Sequence, residues 1–581
     1  MSNGADLHVY ESTTEQGTSW TVVSPIVFTY KVTESLGLLD PSNDTLLLGH
    51  IRDPQQLEAL RNSISTKPLR RFVVMDQTVY NLYGCQLTDY FEARNVLYRI
   101  LPLPTTEENK SMELVMRILE EMSLVANTGK THVEEPLECN NIAVIKKNEF
   151  QLVQVKGTWK RKTGNNFNKN LKGRVSAAKI YESTTEQGTS WTVVSPIVFT
   201  YKVTESLGLL DPSNDTLLLG HIRDPQQLEA LRNSISTKPL RRFVVMDQTV
   251  YNLYGCQLTD YFEARNVLYR ILPLPTTEEN KSMELVMRIL EEVHKFSLDR
   301  RTEPIIAIGG GVCLDVVGLA ASLYRRRTPY IRVPTTLLSY VDASVGAKTG
   351  VNFANCKNKL GGYIPPVAAF LDRSFLQTVS RRHISNGLAE MLKMALMKHR
   401  GLFELLETNG RFLLDSKFQS DSGLQGDNKD AASVSTRMAI ETMLEELAPN
   451  LWEDDLDRLV DFGHLISPEL EMKVLPSLLH GEAVNIDMSY MVYVARERGL
   501  MTEEEKLRII GCMVGLELPV WHQDINMALV QQSLCERLKH SGGLVRMPLP
   551  IGLGHAEIYN DTGDDTLYRA FEKWCDELRP Q

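Results

Sequence analysis

Short apolar runs alternate with polar or glycine-rich turns through the middle of the chain. Around residue 242 the letters RRFVVMD form a β-branched run that ends in Asp247, and near residue 305 the letters PIIAIGGG end in three glycines. A third run, TPYIRVP, leads into a segment of small residues. Runs of this length, each bounded by turn residues, are typical of buried strands followed by helices. The pattern predicts an α/β domain over residues 181–372.

From about residue 375 the apolar period changes from strand-like runs to the 3.6 residues of a helix. The repeating apolar positions in RRHISNGLAEMLKMALMK are Ile384, Leu388, Met391, Leu392 and Ala395. This spacing places Asn386, Glu390 and Lys393 together on the opposite face. We therefore predict a mainly α-helical domain over residues 373–581.

The chain also contains a long exact repeat. Residues 181–292 repeat residues 10–121 letter for letter at a constant offset of 171. Stacked-repeat proteins use several shorter and diverged units, so two identical long copies indicate a very recent exon duplication or an error in the gene model. We interpret residues 1–121 as a partial duplicate whose Asp76, Glu107 and Lys110 have no glycine loop after them and are idle.

The segment between the copies, residues 122–180, is basic. It holds eleven Lys or Arg against four Glu, without a sustained apolar period. That composition is typical of a solvated linker or insertion. A nucleic-acid-binding arm is the alternative, although the segment lacks regularly interleaved aromatic residues.

Composition excludes several classes of protein. The hydrophobic fraction of 43% and the charged fraction of 23% are those of an ordinary globular protein, and the net charge of -10 argues against general nucleic-acid binding. No apolar run reaches the roughly 20 residues of a membrane span, and the first residues carry no secretory pattern, so we expect a cytoplasmic protein. The eight cysteines form no CxxC pair, so a metal would be held by His and carboxylate side chains.

The glycine run at residues 309–311, followed by Asp315, is a candidate phosphate-binding turn. Glycines at a strand-to-helix junction let a phosphate approach unpaired N–H groups at the start of the helix. The run differs from the common GxGxxG fingerprint, and a tight structural turn explains three glycines equally well.

Two nearby segments carry candidate substrate-binding residues. The first holds Asp342, Lys348 and Asn352, and the second, CKNKLGGY, holds Lys357 and Asn358. Polar loops that follow strand ends are where ligands bind in open α/β sheets. Lysines in that position favour an anionic substrate.

Three residues of the helical half suit a catalytic metal. Glu390 lies on the predicted helix, while His464 in DFGHLISP and His480 in LLHGEAV stand beside glycines among apolar residues. One carboxylate and two imidazoles with an open fourth position form a typical catalytic zinc site. Each histidine alone is equally consistent with a structural role.

Five motifs in this order, GGGVCLD, VPTTLLSYVDASVGAKTGVN, NGLAEMLK, FGH and LHGEAV, resemble the dehydroquinate synthase superfamily of sugar phosphate cyclases. The resemblance covers about residues 181–575. It implies an N-terminal NAD-binding α/β domain, a C-terminal helical metal-binding domain, an active site in the cleft between them and a homodimer. It also implies NAD and Zn²⁺ as cofactors, with Co²⁺ as an alternative metal, and a small sugar phosphate as substrate.

The resemblance assigns roles residue by residue. The NAD-binding positions are Asp247, Glu278, Lys281, Gly310, Gly311, Val312, Asp315, Thr335 and Thr336. The zinc ligands are Glu390, His464 and His480. The substrate-binding or catalytic positions are Asp342, Lys348, Lys357, Asn358, Lys393, His540 and Arg326, the last of which resembles an arginine lent to the neighbouring subunit.

One departure from the family pattern bears on the substrate. Dehydroquinate synthases read GHxxGH, whereas this chain has Pro468 in place of the second histidine, and a proline side chain cannot exchange a proton. The GHxxSP form resembles the sedoheptulose 7-phosphate cyclases, which make 2-epi-5-epi-valiolone or desmethyl-4-deoxygadusol. The segment KHSGGLVRMPLPIGLG favours the first product, while AVNIDM is similar to both branches.

Other functions stay open from the sequence. Dehydroquinate synthase is the nearest alternative, followed by a metal-dependent polyol dehydrogenase of related architecture. An inactive product of the duplication is a further possibility, because an unpartnered first copy would present strand edges.

Overall fold

A computed structural model of the chain describes residues 8–14, 17–33, 35, 37–51, 57–58, 69–128, 141–142, 151–153, 161–163, 179–185, 188–234, 239–419, 431–541, 543–560 and 565–580. The chain forms two compact units. The first unit comprises Met1–Pro25, Gln154–Arg174 and Val198–Gln581, and the second comprises Ile26–Val153 and Val175–Ile197.

The first copy of the repeat supplies most of the second unit. From residue 8 to residue 163 the elements of the chain are β1 (His8–Thr14), β2 (Gly17–Thr33), α1 (Thr45–Leu48), β3 (Arg70–Asp76), α2 (Gln77–Ala93), β4 (Leu97–Leu103), α3 (Met112–Thr128), β5 (Asn141–Ile142), β6 (Gln151–Val153) and β7 (Arg161–Thr163). Strands β3 and β4 pair in parallel over their whole length, and β5 adds a single bridge from Ile142 to Asp76. A small apolar core that includes Tyr90 and Phe91 lies beneath them.

The second copy and the segment after it form an α/β layer. Its elements are β8 (Lys179–Thr185), β9 (Gly188–Glu205), α4 (Thr216–Leu219), α5 (Pro225–Ser234), β10 (Arg241–Asp247), α6 (Gln248–Ala264), β11 (Leu268–Leu274), α7 (Met283–Phe296), β12 (Ile305–Gly309), α8 (Gly311–Leu323), β13 (Tyr330–Pro334), β14 (Lys348–Phe353), β15 (Cys356–Tyr363) and β16 (Ala368–Leu371). In the first unit the strand order is β11-β10-β12-β13-β16-β9, and each of these pairs is parallel.

Burial on both faces explains the continuous apolar runs of these strands. All five residues of β12 are buried, as are Phe243 to Met246 of β10. Strands of a parallel sheet that is covered on both faces lose the alternation of apolar and polar positions. The two cores flanking this sheet are separate clusters, one containing Phe243 and the other Val244.

The rest of the first unit is mainly helical, as the sequence predicted. Its elements are α9 (Arg381–Lys398), α10 (Arg400–Ser416), α11 (Ala431–Leu447), α12 (Ser467–Val474), α13 (His480–Glu497), α14 (Glu503–Gly515), α15 (Met527–His540), β17 (Met547–Pro550), β18 (Ala556–Tyr559) and α16 (Thr566–Leu578). Helix α9 begins where the Ser380 hydroxyl accepts a hydrogen bond from the His383 amide. It is buried without a break from Ile384 to Met397, so α9 forms the centre of this half.

The sheet of the first unit continues past β9 with a hairpin from the first copy. Strand β2 lies next to β9, β1 pairs with β2 in antiparallel register, and β7 pairs with β1 in parallel. Trp20 and Val22 of this hairpin are buried in the same core as Tyr201 and Val203 of β9. The first copy therefore contributes side chains to the core of the first unit.

Among the described residues, none of the helices combines the length and the apolar character needed to cross a membrane.

Candidate active site

A cleft of about 1090 Å³ in the first unit gathers most of the residues predicted from the sequence. Every residue of the predicted NAD-binding set lines the cleft: Asp247, Glu278, Lys281, Gly310, Gly311, Val312, Asp315, Thr335 and Thr336. The substrate and metal sets add Asp342, Lys348, Lys357, Asn358, Lys393, His464 and His480. The two halves of the predicted site thus face one cavity.

The glycine run forms the turn between β12 and α8. A Cβ on Gly309 would stand 2.7 Å from the Cβ of Cys313, which real Cβ atoms do not tolerate, and 3.2 Å from the Cβ of Asp247. Gly310 is extended and caps α8, so the first amide groups of that helix face the cleft. Unpaired helix N-terminal amides favour a phosphate.

Asp247 closes the neighbouring strand β10 and caps α6. Its Oδ1 accepts hydrogen bonds from the amides of Thr249 and Val250 at 2.8 and 3.2 Å, and its Oδ2 accepts one from the Thr276 hydroxyl at 2.5 Å. These contacts fix the carboxylate at the carboxyl edge of the sheet, where a nucleotide binds in open α/β folds.

A buried ion pair stands behind the glycine turn. Lys281, 4% exposed, places its Nζ 2.8 Å from Oδ2 of Asp315. Burial alone would lower the pKa of Lys281, but the carboxylates of Asp315 and Glu278 outweigh it and raise that pKa. Asn352 donates to Glu278 Oε1 at 2.9 Å. The lysine is therefore held charged and in place at this end of the cleft.

The three predicted metal ligands come from three separate elements and meet at the other end. Glu390 is on α9, His464 follows a short turn of helix at residues 459–461, and His480 is the first residue of α13. One ligand atom from each lies within 4.8 Å of the others. Gly481 permits this approach, since a Cβ there would stand 2.0 Å from the carbonyl oxygen of Asn386 on α9.

Within the described ranges the hydrogen bonds of both histidines are made through Nδ1, and Nε2 of His480 lies 3.5 Å from Oε1 of Glu390. Nδ1 of His464 lies 3.1 Å from the carbonyl oxygen of Phe462, and Nδ1 of His480 lies 2.9 Å from Oε2 of Glu471. The carbonyl oxygen of Phe462 only accepts, so we assign the proton of His464 to Nδ1. Nδ1 of His480 also lies 3.0 Å from Nζ of Lys357, which is a donor, so its two neighbours call for opposite tautomers. Burial lowers the pKa of His464 to about 3, which keeps its imidazole in the neutral, metal-binding form.

The surroundings of the Glu390 carboxylate show whether these three residues suit a metal ion. Its carboxylate is fully buried, and neither oxygen accepts a well-formed hydrogen bond from the described residues, although Lys393 Nζ is in ion-pair contact with Oε2. Burial would raise the pKa of Glu390, but Lys393 and the two imidazoles hold it down at about 2. A buried ionised carboxylate beside two imidazoles fits a divalent cation such as zinc.

Three lysines line the middle of the cleft. Lys348 Nζ lies 2.6 Å from Oε1 of Glu453, and Lys357 Nζ lies 2.5 Å from Oε1 of Glu471. The Lys348 side chain keeps 56% of its surface exposed. The third, Lys393, is 3% exposed. Asp342 faces this group, and burial together with Glu390 raises its pKa.

Glu390 and Arg326 do not line the cleft, and His540 is not placed. Arg326 lies in the turn after α8, which has a positive φ of 62° at this residue, and does not line the cavity. His540 ends α15, and its side chain lies outside the described part of the chain.

Sequence reasoning missed the carboxylates that support the site. Glu471, 2% exposed, bridges Lys357 and His480, while Asp461 accepts from Arg458 and Arg537 at 2.7 and 3.0 Å. Such partners commonly orient metal-binding histidines. The segment SPELEM alternates Glu469 and Glu471 with apolar residues, and no signal in it separates the buried glutamate from a solvated one.

Comparison with known proteins identifies the family of the chain. The family model described as 3-dehydroquinate synthase N-terminal matches residues 271–386, and that described as 3-dehydroquinate synthase C-terminal matches residues 387–540. The 2-epi-5-epi-valiolone synthase of Actinomyces sp is 46% identical over 371 residues, or 64% of this chain and 94% of the relative. The demethyl-4-deoxygadusol synthase of Trichormus variabilis is 37% identical over 330 residues, or 57% of this chain and 80% of the relative.

The chain is also similar to a solved structure. ValA, a 2-epi-5-epi-valiolone synthase from Streptomyces hygroscopicus subsp. jinggangensis 5008 with NAD⁺ and Zn²⁺ bound, is 41% identical with a TM-score of 0.59. The match covers 69% of this chain and 99% of ValA. The α/β and helical halves, their order and the relatives that share them show that this chain belongs to the 3-dehydroquinate synthase family of sugar phosphate cyclases.

Proposed function

We propose that the chain is an NAD- and zinc-dependent sedoheptulose 7-phosphate cyclase that makes 2-epi-5-epi-valiolone and releases phosphate, a phosphorus-oxygen lyase. The observation that carries this proposal is one cleft lined by the glycine turn and by His464 and His480, with the buried Glu390 within reach of both histidines. Residues 181–372 would bind NAD, and residues 373–581 would hold the metal.

The choice of product rests on the relatives and on Pro468. The valiolone synthase of Actinomyces is 46% identical, against 37% for the gadusol-precursor synthase. Pro468 lines the cleft in the first turn of α12, where dehydroquinate synthases have a histidine. Because proline offers no proton there, this position argues against dehydroquinate synthesis.

The cofactors explain why one site needs both halves. When bound, NAD supplies reversible oxidation of a ring alcohol, and zinc, or Co²⁺ as the alternative, polarises the oxygen that reacts. The turn after β12, with Lys281 and Asp315 behind it, would hold NAD. Nε2 of each histidine and the Glu390 carboxylate would hold the metal.

The lysines and their carboxylates would handle the substrate. Lys348 and Lys357 reach the cleft from the β14–β15 hairpin and would bind phosphate, while Lys393 would stabilise oxygen charge beside the metal ligands. Glu471 accepts from Lys357 through Oε1, and its Oε2 lies 2.9 Å from Nδ1 of His480. It would thereby fix the ring of His480 with Nε2 toward the metal.

The experiment is incubation of the purified full chain with sedoheptulose 7-phosphate, NAD and zinc. We expect phosphate release without net NADH and a carbocycle with one keto group and full hydroxylation by mass spectrometry and NMR. A product that has lost further oxygen would identify the gadusol-precursor reaction, and stoichiometric NADH would identify a polyol dehydrogenase. Turnover of the dehydroquinate synthase substrate in its place would overturn the assignment.

A matched pair of variants tests the metal centre. Glu390→Gln keeps the shape of the side chain and removes its charge, so we expect loss of bound zinc by elemental analysis, loss of phosphate release and retained NAD binding. Glu577→Gln is the control: its carboxylate accepts from Tyr493 at 2.7 Å and from Lys506 at 2.8 Å, and none of these residues lines the cleft. Unchanged zinc content in Glu390→Gln would sink the ligand assignment.

Association and location are predictions from the sequence and the resemblance. We infer a homodimer, a cytoplasmic location and no nucleic-acid or membrane partner. Arg326, outside the cleft of its own chain, is available to act in a neighbouring subunit.

A further inference from the structure

Helix α12 carries two residues of the candidate site and is preceded by an apolar cap residue. Its N-cap position is Ile466, whose side chain has no atom that can accept a hydrogen bond. Pro468 lines the cleft from the first turn of the helix, and Glu471 follows one turn later. The first amides of a helix need acceptors from outside it, and a helix of eight residues is not stable by itself. A group outside α12 must therefore hold its start.

Asp487 of the neighbouring helix α13 supplies that acceptor. Its Oδ2 accepts hydrogen bonds from the amides of Ile466 and Ser467 at 2.5 and 2.9 Å. The next residue, Pro468, has no amide N–H to satisfy. Asp487 is fully buried, and a carboxylate gives up its water at a cost that hydrogen bonds from the protein must offset. The two amides of α12 are therefore what Asp487 is built to bind.

The same contact closes the loop that carries His464. Ser467 donates from its hydroxyl to the carbonyl oxygen of Gly463 at 2.6 Å, so this bond spans the histidine between them. Gly463 has a positive φ of 75°, and a Cβ on it would stand 2.8 Å from Cγ1 of Val484 on α13. Val484 and Asp487 are three residues apart and share one face of that helix. The loop of His464 therefore packs on the face of α13 that presents Asp487.

The next turn of α12 meets the second histidine. Glu471 is 2% exposed. Its Oε1 accepts from Lys357 Nζ at 2.5 Å, and its Oε2 lies 2.9 Å from Nδ1 of His480. Because Glu471 is only four residues beyond Ser467, a shift of the start of α12 would carry its carboxylate away from His480. The surroundings of both predicted zinc-binding histidines thus depend on where α12 begins.

We propose that Asp487 is a positioning residue of the metal site. By capping α12 it holds the loop of His464 and directs Glu471 toward His480. Removal of the partners that orient metal-binding histidines typically lowers metal affinity or activity by about 10- to 100-fold. This inference deepens the proposed function and rests on its metal site.

The test is the zinc affinity of the full chain, measured by competition with a chromophoric chelator and without any sugar phosphate. Asp487→Leu keeps the approximate size of the side chain and removes its acceptors, so zinc affinity should fall by about 10- to 100-fold. Asp487→Asn retains one oxygen that can accept from both amides, so it should restore the affinity of the natural chain. With Co²⁺ in place of zinc, the visible absorption bands should shift in Asp487→Leu and stay unchanged in Asp487→Asn. A loss of stability alone would not produce that shift.

Asn485→Ala is the matched control for damage to α13. This buried residue lies two positions before Asp487 and donates to the carbonyl oxygen of Pro519 at 2.9 Å. Its loss should lower the melting temperature and leave zinc affinity and the Co²⁺ bands unchanged. Ser467→Ala is a milder second variant that removes the hydroxyl bond to Gly463 and keeps both amides, so it should weaken zinc binding by less than Asp487→Leu. Far-ultraviolet circular dichroism checks that every variant is folded.

The outcomes separate this role from the proposed reaction. Equal zinc affinities in the natural chain, Asp487→Leu and Ser467→Ala would overturn the role of Asp487 and leave the proposed function intact. An equal loss in Asn485→Ala or Asp487→Asn would show general damage to α13 and would rule the role out as well. A natural chain that binds no zinc would remove the metal site on which both proposals rest. Zinc affinity that depends on Asp487, without turnover of sedoheptulose 7-phosphate, would support the role and contradict the proposed reaction alone.

Discussion

The two copies of the repeat have the same sequence and different environments. In the second copy Lys281 is 4% exposed and bound to Asp315, whereas its duplicate Lys110 is 74% exposed and contacts only Glu107 among the pairs of the described residues. Phe243 is fully buried, while its duplicate Phe72 keeps part of its surface accessible. The same sequence therefore lines a candidate binding cleft in one copy and lies at an exposed surface in the other.

The neighbouring elements cause the difference. Strand β10 pairs with β11 on one side and with β12 on the other, and α8 covers the face that holds Phe243. Strand β3 pairs fully with β4, but β5 offers it only one bridge. Asp315, which pairs with Lys281, and α8, which packs over Phe243, both lie beyond the repeat.

The largest expected contrast is at the duplicated lysine. Lys281→Ala removes one partner of a buried ion pair and leaves Asp315 uncompensated, which typically costs about 3–5 kcal/mol. We expect this loss in urea unfolding of the first unit and loss of NAD binding in calorimetry. Lys110→Ala, its exact duplicate, should change neither. Equal effects of the two variants would break the comparison.

A smaller contrast is expected at the duplicated phenylalanine. Phe243→Ala empties a fully buried position and should destabilise the first unit by about 3 kcal/mol. Phe72→Ala acts on a half-covered side chain and should cost a fraction of that. Thermal unfolding followed by circular dichroism measures both; a larger loss for Phe72→Ala would contradict the burial difference.

NAD should separate the copies without any mutation. At a concentration 100 times its dissociation constant, a ligand stabilises the unit that binds it by about 2.7 kcal/mol. Hydrogen exchange of the peptide FVVMDQTVYNL, which both copies yield, should give two populations of equal size. NAD should slow only one of them, and a uniform shift of both would show that the first copy also binds.

The smallest contrast is expected at the duplicated cysteine. Cys85 and Cys256 are both exposed, in the matching helices α2 and α6. Because the local helix is the same and neither thiol contacts the cleft, both should react with a thiol reagent at the same rate. Mass spectrometry of Cys85→Ser and Cys256→Ser variants assigns each rate. A difference above a few fold would mean that the copies differ beyond their partners.

Much of the fold follows from local pattern. The β-branched runs around residues 242 and 305 are strands β10 and β12, and the 3.6-residue period after residue 381 is helix α9. These elements are predictable because burial on both faces of a strand, or along a helix, leaves a periodic signature in sequence. The position of the first-copy hairpin is not predictable in this way, because two identical segments carry no information on which of them pairs with a given strand.

The candidate site likewise contains residues that local motifs predict and residues that they do not. The glycine turn and the set Glu390, His464 and His480 could be proposed from motifs, and the structure brings each group together. Glu471 could not, because its role depends on Lys357 and His480, residues 114 and 9 positions away, meeting at its two oxygens. Contacts of this kind are fixed by tertiary packing, which short-range patterns do not record.

Glu11 of β1 and Arg437 of α11 form an ion pair, and these two residues are synthesised at very different times. The two residues are 426 positions apart, and a ribosome adds about 5–20 residues each second. The first hairpin therefore leaves the ribosome about 20–85 s before the helix that receives it has been made. During that interval the strands of the first hairpin lack this partner, and open strand edges of a nascent chain tend to pair with other strands or to aggregate.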